Sequence, residues 1–279
     1  LFLALATIGR PVVYEIAVNN YSEEIMFYLA VPRQAIEFTE RQIQGLFPEA
    51  KVSVVNDYTV FVEAGASIGA WLGLATDYLL PLRSYRESET DTLSPIISTL
   101  SKLQKNGEGA GLQFVVRPAG ENIKKLLLKK LELVKTGRKL SDLQAMDSWS
   151  WRGLVKVFFA NNSETSPVSS PALVDENLLK AIQMKIAKPL WLVNLRVVAS
   201  ADDRQRAEDL FLSMANAFSH FSAPLRNSFK IVRPRRPRGL FFKYIFREFV
   251  ASSAMVLSSE ELASLYHLPT SDSKVPRIA

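Results

Sequence analysis

Apolar runs and amphipathic stretches alternate along this chain in a recurring order: strand, break, helix, strand. Ile25 to Val31 is continuously apolar and rich in β-formers, which predicts a central strand buried on both faces. Pro32 ends it. From Arg33 to Phe47, Ile36, Ile43, Leu46 and Phe47 share one face and Glu37, Glu40, Arg41 and Gln44 the other, which is helical spacing; Pro48 stops it. "AKVSVVNDYTVFV" then reads as a strand with a bend at Asn56-Asp57. The second unit has a strand near Tyr78 to Tyr85 and a helix near Leu93 to Lys105, with Asp91 as its cap and Gly107 just beyond its end. "GLQFVVRP", Gly111 to Pro118, is a further strand. A helix from Glu121 to Lys135 follows, with Ile123, Leu126, Leu127, Leu131 and Val134 inward.

The third unit has the clearest periodicity. A feeder helix, Asp175 to Ile186, precedes the strand "LWLVNLRVVAS", Leu190 to Ser200. Asp202 is placed to cap the next helix, whose Ala207, Leu210, Phe211, Met214, Phe218 and Phe221 fall on one face. Pro224 breaks it, and "NSFKIV" makes the return strand. Near the C-terminus, "LSSEELASLYHLP" reads as a short helix. Ser258 and Glu261 have capping-box spacing, Leu262, Leu265 and Tyr266 form an apolar stripe, and Pro269 ends the pattern.

Strand–helix–strand units separated by extra strands predict an α+β fold. The expected form is two sandwich modules with ferredoxin-like units, helices packed on one face of mainly antiparallel sheets. The first module is expected over residues 11–140 and the second over 176–257. Between them lies a linker, 141–175, with an entry strand in "WRGLVKVFFA" and a flexible run at 161–172 rich in Asn, Ser, Thr and Pro. Residues 258–279 form the connector helix and tail. Residues 1–10 open with "LFLALATIG", too short to span a bilayer alone. They read either as the end of a membrane helix cut off upstream or as a short buried element. Position 1 is Leu rather than Met, as in a fragment or processed chain.

Composition narrows the chemistry. The chain has 279 residues, no cysteine and only two histidines. Disulfides, thiolate metal sites and cysteine nucleophiles are therefore excluded. There is no P-loop, no G-x-S-x-G elbow and no H-E-x-x-H. The glycines of "EGAGLQF" lead into a strand, whereas a dinucleotide fingerprint opens a helix. His220 and His267 stand at helix ends, and the paired carboxylates Glu23-Glu24, Asp202-Asp203 and Glu260-Glu261 stand at element edges, where caps and solvation account for them. No catalytic, cofactor or metal residue is assigned.

Lys and Arg number 34 against 28 Asp and Glu, a net charge of +6 that permits an anionic partner. The densest charge is in "FKIVRPRRPRGLFFKYIFREF". Lys230, Arg233, Arg235, Arg236 and Arg238 crowd together there, Pro234 and Pro237 are expected to hold the run extended, and Lys243 follows within "LFFKYIF". Guanidinium groups bind phosphate bidentately, so these six are the candidate contacts to a nucleic-acid backbone or to anionic headgroups. A second cluster, Lys124, Lys125, Lys129 and Lys130, reads as a solvated helix face.

Together, "FYLAVPRQ…QIQGLFPEAKV", "LSKLQKNGEGAGLQFVVRP", "KPLWLVNLRVVAS", "NAFSHFSAPLRNSFK" and "LSSEELASLYHLP" resemble the region preceding the motor in bacterial type IV secretion and conjugative DNA-transfer ATPases of the FtsK–HerA group. The resemblance runs from Glu23 to the C-terminus, and it lies in the order of the segments rather than in any single motif. It implies a non-catalytic accessory region that positions an ATPase motor downstream, with ATP and Mg bound only by that motor. It further implies a homo-oligomeric full-length protein on the cytoplasmic side of the bacterial inner membrane, with DNA, secretion-channel proteins and an anionic membrane surface as partners. The short turn between Val12–Val18 and Glu23–Val31 departs from the longer connection expected of relatives.

Two alternatives follow from the residues alone. One is a free-standing nucleic-acid-binding module that uses Tyr28 and Phe114 on an open sheet, which their wholly apolar strands argue against. The other is an enzyme with an unrecognised site, which the scarcity of clustered titratable residues argues against.

Overall fold

The strand predicted from "LWLVNLRVVAS" is the axis of the molecule. The computed structural model describes residues 1–104, 107–138, 143 and 175–269. Its strands are β1 (Val12–Val18), β2 (Ile25–Ala30), β3 (Ala66–Leu74), β4 (Glu108–Pro118), β5 (Leu190–Ala201), β6 (Phe229–Val232) and β7 (Met255–Ser258). They form one antiparallel sheet in the order β2-β1-β4-β5-β3-β6, and β7 also pairs β5. The fold is α+β. All twelve residues of β5 are buried, because β4 runs along one side of it while β7 and then β3 occupy the other. The helices are α1 (Phe2–Leu5), α2 (Ile36–Leu46), α3 (Ser94–Leu100), α4 (Glu121–Lys135), α5 (Glu176–Ile186), α6 (Arg204–Asn216), α7 (Pro237–Ile245) and α8 (Ser259–Leu265).

The expected seam does not divide the sheet: β4 and β5, from either side of it, pair over their whole lengths. Nor are the helices confined to one face. Alternate residues of a strand point to opposite faces. On one face, Ile68, Ala70 and Leu72 of β3 join Leu195 and Val197 of β5 in a core closed by α1, α3, α6 and α8. On the other, α4 and α5 cover Leu190 and Leu192, and α7 lies over Gly69.

Further expectations are corrected. Ile25 to Val31 gives the outermost strand, β2, and is only partly buried. The segment from Ala50 to Val62 is not a strand; it crosses the sheet irregularly, with Val60 fully buried. Tyr78 to Tyr85 is likewise irregular, and the strand of that region is β3, whose Gly-interrupted "ASIGAWLGL" masked its periodicity. Asp203, not Asp202, caps α6, accepting from the Arg206 backbone N–H at 2.9 Å. Lys130 is not on a solvated face: it is fully buried, 2.6 Å from Asp77. The predicted linker and entry strand, and the tail after Pro269, lie outside the described residues, apart from Leu143 and Asp175.

The C-terminal helix is built as expected and placed differently. Ser258 and Glu261 form the capping box. Yet α8 is no free connector: Leu262, Leu265 and Tyr266 are buried, and Tyr266 packs against Tyr14, Phe27 and Phe114. Residues at the start of the chain join the same core, with Leu5 buried and Phe2 against Tyr14. Among the described residues, no helix is long and apolar enough to cross a membrane.

Candidate anion-binding surface

Six strands contribute one residue each to a row that crosses the sheet: Tyr28, Glu15, Gln113, Arg196, Trp71 and Val232, each the register partner of the next. Odd for a sheet interior, the middle of this row is polar. Glu15, Gln113 and Arg196 are all at most 1 % exposed. A buried charge is tolerated only where it is paired and hydrogen-bonded, and here the partners come from α7 and the turn after it. Arg196 donates to the Lys243 carbonyl at 2.8 Å, and closely to the Glu248 carbonyl and to Gln113 Oε1. Gln113 Nε2 donates to Glu15 Oε1 at 2.6 Å and to the Tyr244 carbonyl at 2.8 Å. The Arg196 guanidinium also lies 4.4 Å above the Trp71 ring. Burial pushes its pKa down to about 10, which still leaves it charged at neutral pH. It thereby ties the last turn of α7 and the turn after it to the middle of the sheet.

Arg247, with φ of +54°, turns back over this row and bridges Glu15 at 3.1 Å and Asp57 at 2.7 Å. Burial opposes the Arg247 charge, but Asp57 and Glu15 outweigh it and hold the pKa above the ordinary arginine value. Tyr58 stacks on Tyr28, with ring centroids 4.1 Å apart, and its hydroxyl lies 3.4 Å from that of Tyr244. The irregular segment around Asp57 is thereby tied both to the sheet and to α7.

Glycines let α7 and this segment approach. A Cβ on Gly69 would stand 2.6 Å from Leu240, one on Gly111 2.1 Å from the Tyr244 hydroxyl, and one on Gly109 2.2 Å from the Val60 carbonyl. The inward face of α7 is therefore Leu240 and Tyr244, with Phe241 partly covered.

The candidate basic residues are arranged around α7. Pro237 does not hold the run extended; it occupies the first turn of the helix, where its missing N–H costs nothing. Arg238 is thus helical and exposed. Arg235 and Arg236, just before the helix, are exposed as well. Lys230, on β6, is exposed beside Gly73, on the same face as α7. These four make no ion pair among the described residues. Arg233 is different: it is paired with Glu208 on α6 and lies 4.9 Å over the Phe211 ring. Lys243 is half-buried, and its carbonyl serves Arg196. The six candidates thus separate into four open cations, one committed to a structural pair and one at the rim.

Sequence reasoning missed the outward face of α7. Phe242, Ile245 and Phe246 are 54 %, 47 % and 63 % exposed, and the two phenyl rings lie 4.4 Å apart. Arg238, Phe242 and Phe246 are spaced by four, so they stack along one side of the helix. The available signal was Leu240, Phe241 and Tyr244 after a proline, an inward stripe that leaves Phe242 outside.

The remaining expectations are placed as follows. Phe114 is fully buried, and Tyr28 is stacked against Tyr58, so neither lies on an open sheet. His220 Nδ1 lies against the Ala217 carbonyl, and His267 Nε2 is 2.9 Å from Asp91. Asp91 also accepts from the Leu93 N–H at 2.8 Å. Among the described residues, no three His, Asp or Glu side chains are grouped to hold a metal. A surface depression of about 290 Å³ between α6 and β6 is lined by Asn216, Phe218, Ser228 and neighbours, none of them titratable.

Fold and surface together define an antiparallel α+β protein with a basic and aromatic helix braced on one sheet face. The chain belongs to the family described as domain of unknown function DUF8128, whose model matches residues 2–279. No curated protein matches it.

Proposed function

We propose that this chain is a non-catalytic scaffold that docks to a phosphate-bearing partner through Lys230, Arg235, Arg236 and Arg238. The observation that carries this reading is the clustering of open cations: Lys230, Arg235, Arg236 and Arg238 crowd one short stretch of chain and form no ion pair among the described residues. Arg196, Arg206, Arg226, Arg233 and Arg247 are each engaged by carbonyls or carboxylates. Lys230 on β6, Arg235 and Arg236 just before α7, and Arg238 in its first turn are exposed beside a helix whose own position is fixed by a buried polar row. Unpaired guanidinium groups have no carboxylate partner to give up on meeting phosphate, which they bind bidentately.

The resemblance to the pre-motor region of conjugative DNA-transfer ATPases gives this scaffold a setting: the cytoplasmic side of the bacterial inner membrane, beside an ATPase motor, channel proteins and DNA, in a homo-oligomer. Binding of polyanions, duplex DNA and anionic vesicles alike, measured across a salt series, tests the docking role. Binding should weaken steeply as salt rises and should fall in the variant Arg235→Gln/Arg236→Gln/Arg238→Gln. Equal binding by that variant would overturn it.

A further inference from the structure

The apolar half of the α7 surface narrows the partner. Resting on the docking reading above, we infer that α7 is an interfacial helix that seats this protein on an anionic lipid bilayer, with Phe242, Ile245 and Phe246 entering the headgroup boundary and Arg235, Arg236 and Arg238 meeting lipid phosphates. A nucleic-acid backbone would use the arginines alone. It gives no place to an aliphatic and two phenyl side chains, about half exposed, on the side of the helix that Arg238 shares. A bilayer interface uses both: apolar side chains bury shallowly while cations neutralise anionic headgroups. Interfacial helices carry this combination of an apolar ridge flanked by Arg or Lys.

The geometry suits a surface rather than a groove. The helix lies on the outside of the sheet, held below by Leu240 and Tyr244 and at its C-terminal end by Arg196. Its ridge projects away from the protein. Lys230 and Val232, on the edge strand β6, lie on the same sheet face and extend the patch sideways. Glu248, beyond the ridge, is the acid nearest to it in sequence, and the basic residues lie at the opposite end of the helix.

Co-sedimentation with two vesicle types tests the inference: phosphatidylcholine alone, and phosphatidylcholine with roughly one-third phosphatidylglycerol, an anionic fraction sufficient for polybasic attraction. The parent chain should bind the anionic vesicles and not the neutral ones. Phe242→Ser/Phe246→Ser should reduce that binding by more than about tenfold. Arg235→Gln/Arg236→Gln/Arg238→Gln should reduce it by roughly a hundredfold, at about fivefold per cation. All these positions are exposed, and an unchanged thermal midpoint would show that both variants fold. If the phenylalanine variant binds like the parent while the arginine variant does not, the bilayer inference is overturned and phosphate docking stands. Binding to duplex DNA without binding to anionic vesicles has the same meaning. If the parent binds neither, both readings fall.

Discussion

Gly111 lies directly beneath Tyr244, so close that a Cβ on the glycine would stand 2.1 Å from the phenol oxygen. That contact sets how near α7 comes to the sheet. Gly111→Ala should destabilise the protein by about 1–3 kcal/mol, since tyrosine, helix or strand must shift. Gly239→Ala, in the first turns of the same helix and with open space around its Cβ, should be neutral or stabilising by up to about 1 kcal/mol. Urea denaturation of the two variants distinguishes a steric contact from a general effect of removing glycine.

Arg196 is the second support of α7. Arg196→Met would keep much of the volume but leave the Glu248 carbonyl and Gln113 Oε1 without their donor, and the Lys243 carbonyl with only the Glu248 N–H. The expected cost is on the order of 3 kcal/mol. Amide hydrogen exchange should rise first in α7, and spread to the rest of the sheet less. Uniform exchange across the chain would show that Arg196 does not act on the helix in particular.

Lys185 and Glu261 join α5 to the capping box of α8 through a buried pair at 3.1 Å. Burial pushes the Lys185 ammonium down, against the pull of Glu261. The Glu261 carboxylate also accepts from the Leu82 N–H at 2.8 Å and from the Ser258 N–H at 2.6 Å. Lys185→Met alone should cost about 3–5 kcal/mol, because it strands a buried carboxylate. Adding Glu261→Gln should cost less than the sum of the two single changes. A double-mutant cycle by chemical denaturation reads the coupling, and strict additivity would contradict it.

Acid should weaken the fold partly through the surface around α7. Arg247 holds the Asp57 carboxyl below its ordinary range, and Arg233 does the same for Glu208. A folded-state pKa below the unfolded one contributes stability that is complete above the unfolded value and is lost as pH falls through the folded one. The loss should therefore begin below about pH 4, the ordinary carboxylate range. Asp57→Asn and Glu208→Gln should each flatten that acid limb while changing stability little in slope near neutrality. Thermal midpoints across an acid pH series provide the check.

The sequence carried the periodic elements and lost the tertiary ones. α4, α5, β5 and the Ser258–Glu261 box follow from local spacing and capping, and the structure places them within a residue or two of expectation. β3 was missed because its glycines, of which Gly69 is needed for the approach of α7, interrupt the apolar alternation. β2 was read as central because an apolar run does not say which strands flank it. The pairing of β4 with β5 joins residues far apart in the chain, and no local pattern encodes it.

At the candidate surface, the basic residues were legible as a charge cluster, but their division was not. Arg233 is spent on Glu208, a residue 25 positions away in sequence. Lys130, read as solvated, faces Asp77 in the interior. The ridge of Phe242 and Phe246 became visible only once the inward face of α7 was fixed by the buried row beneath it.

The chain lacks cysteine, so a single introduced thiol can report position without ambiguity. A polarity-sensitive label at Phe246→Cys, on the ridge, and another at Ser213→Cys, on the exposed side of α6 across the sheet, give the most direct test of a membrane-seated α7. With anionic vesicles added, the label at 246 should become shielded from a water-soluble quencher while the label at 213 stays open to it. A label at 246 that remains as accessible with vesicles as without them would contradict the account.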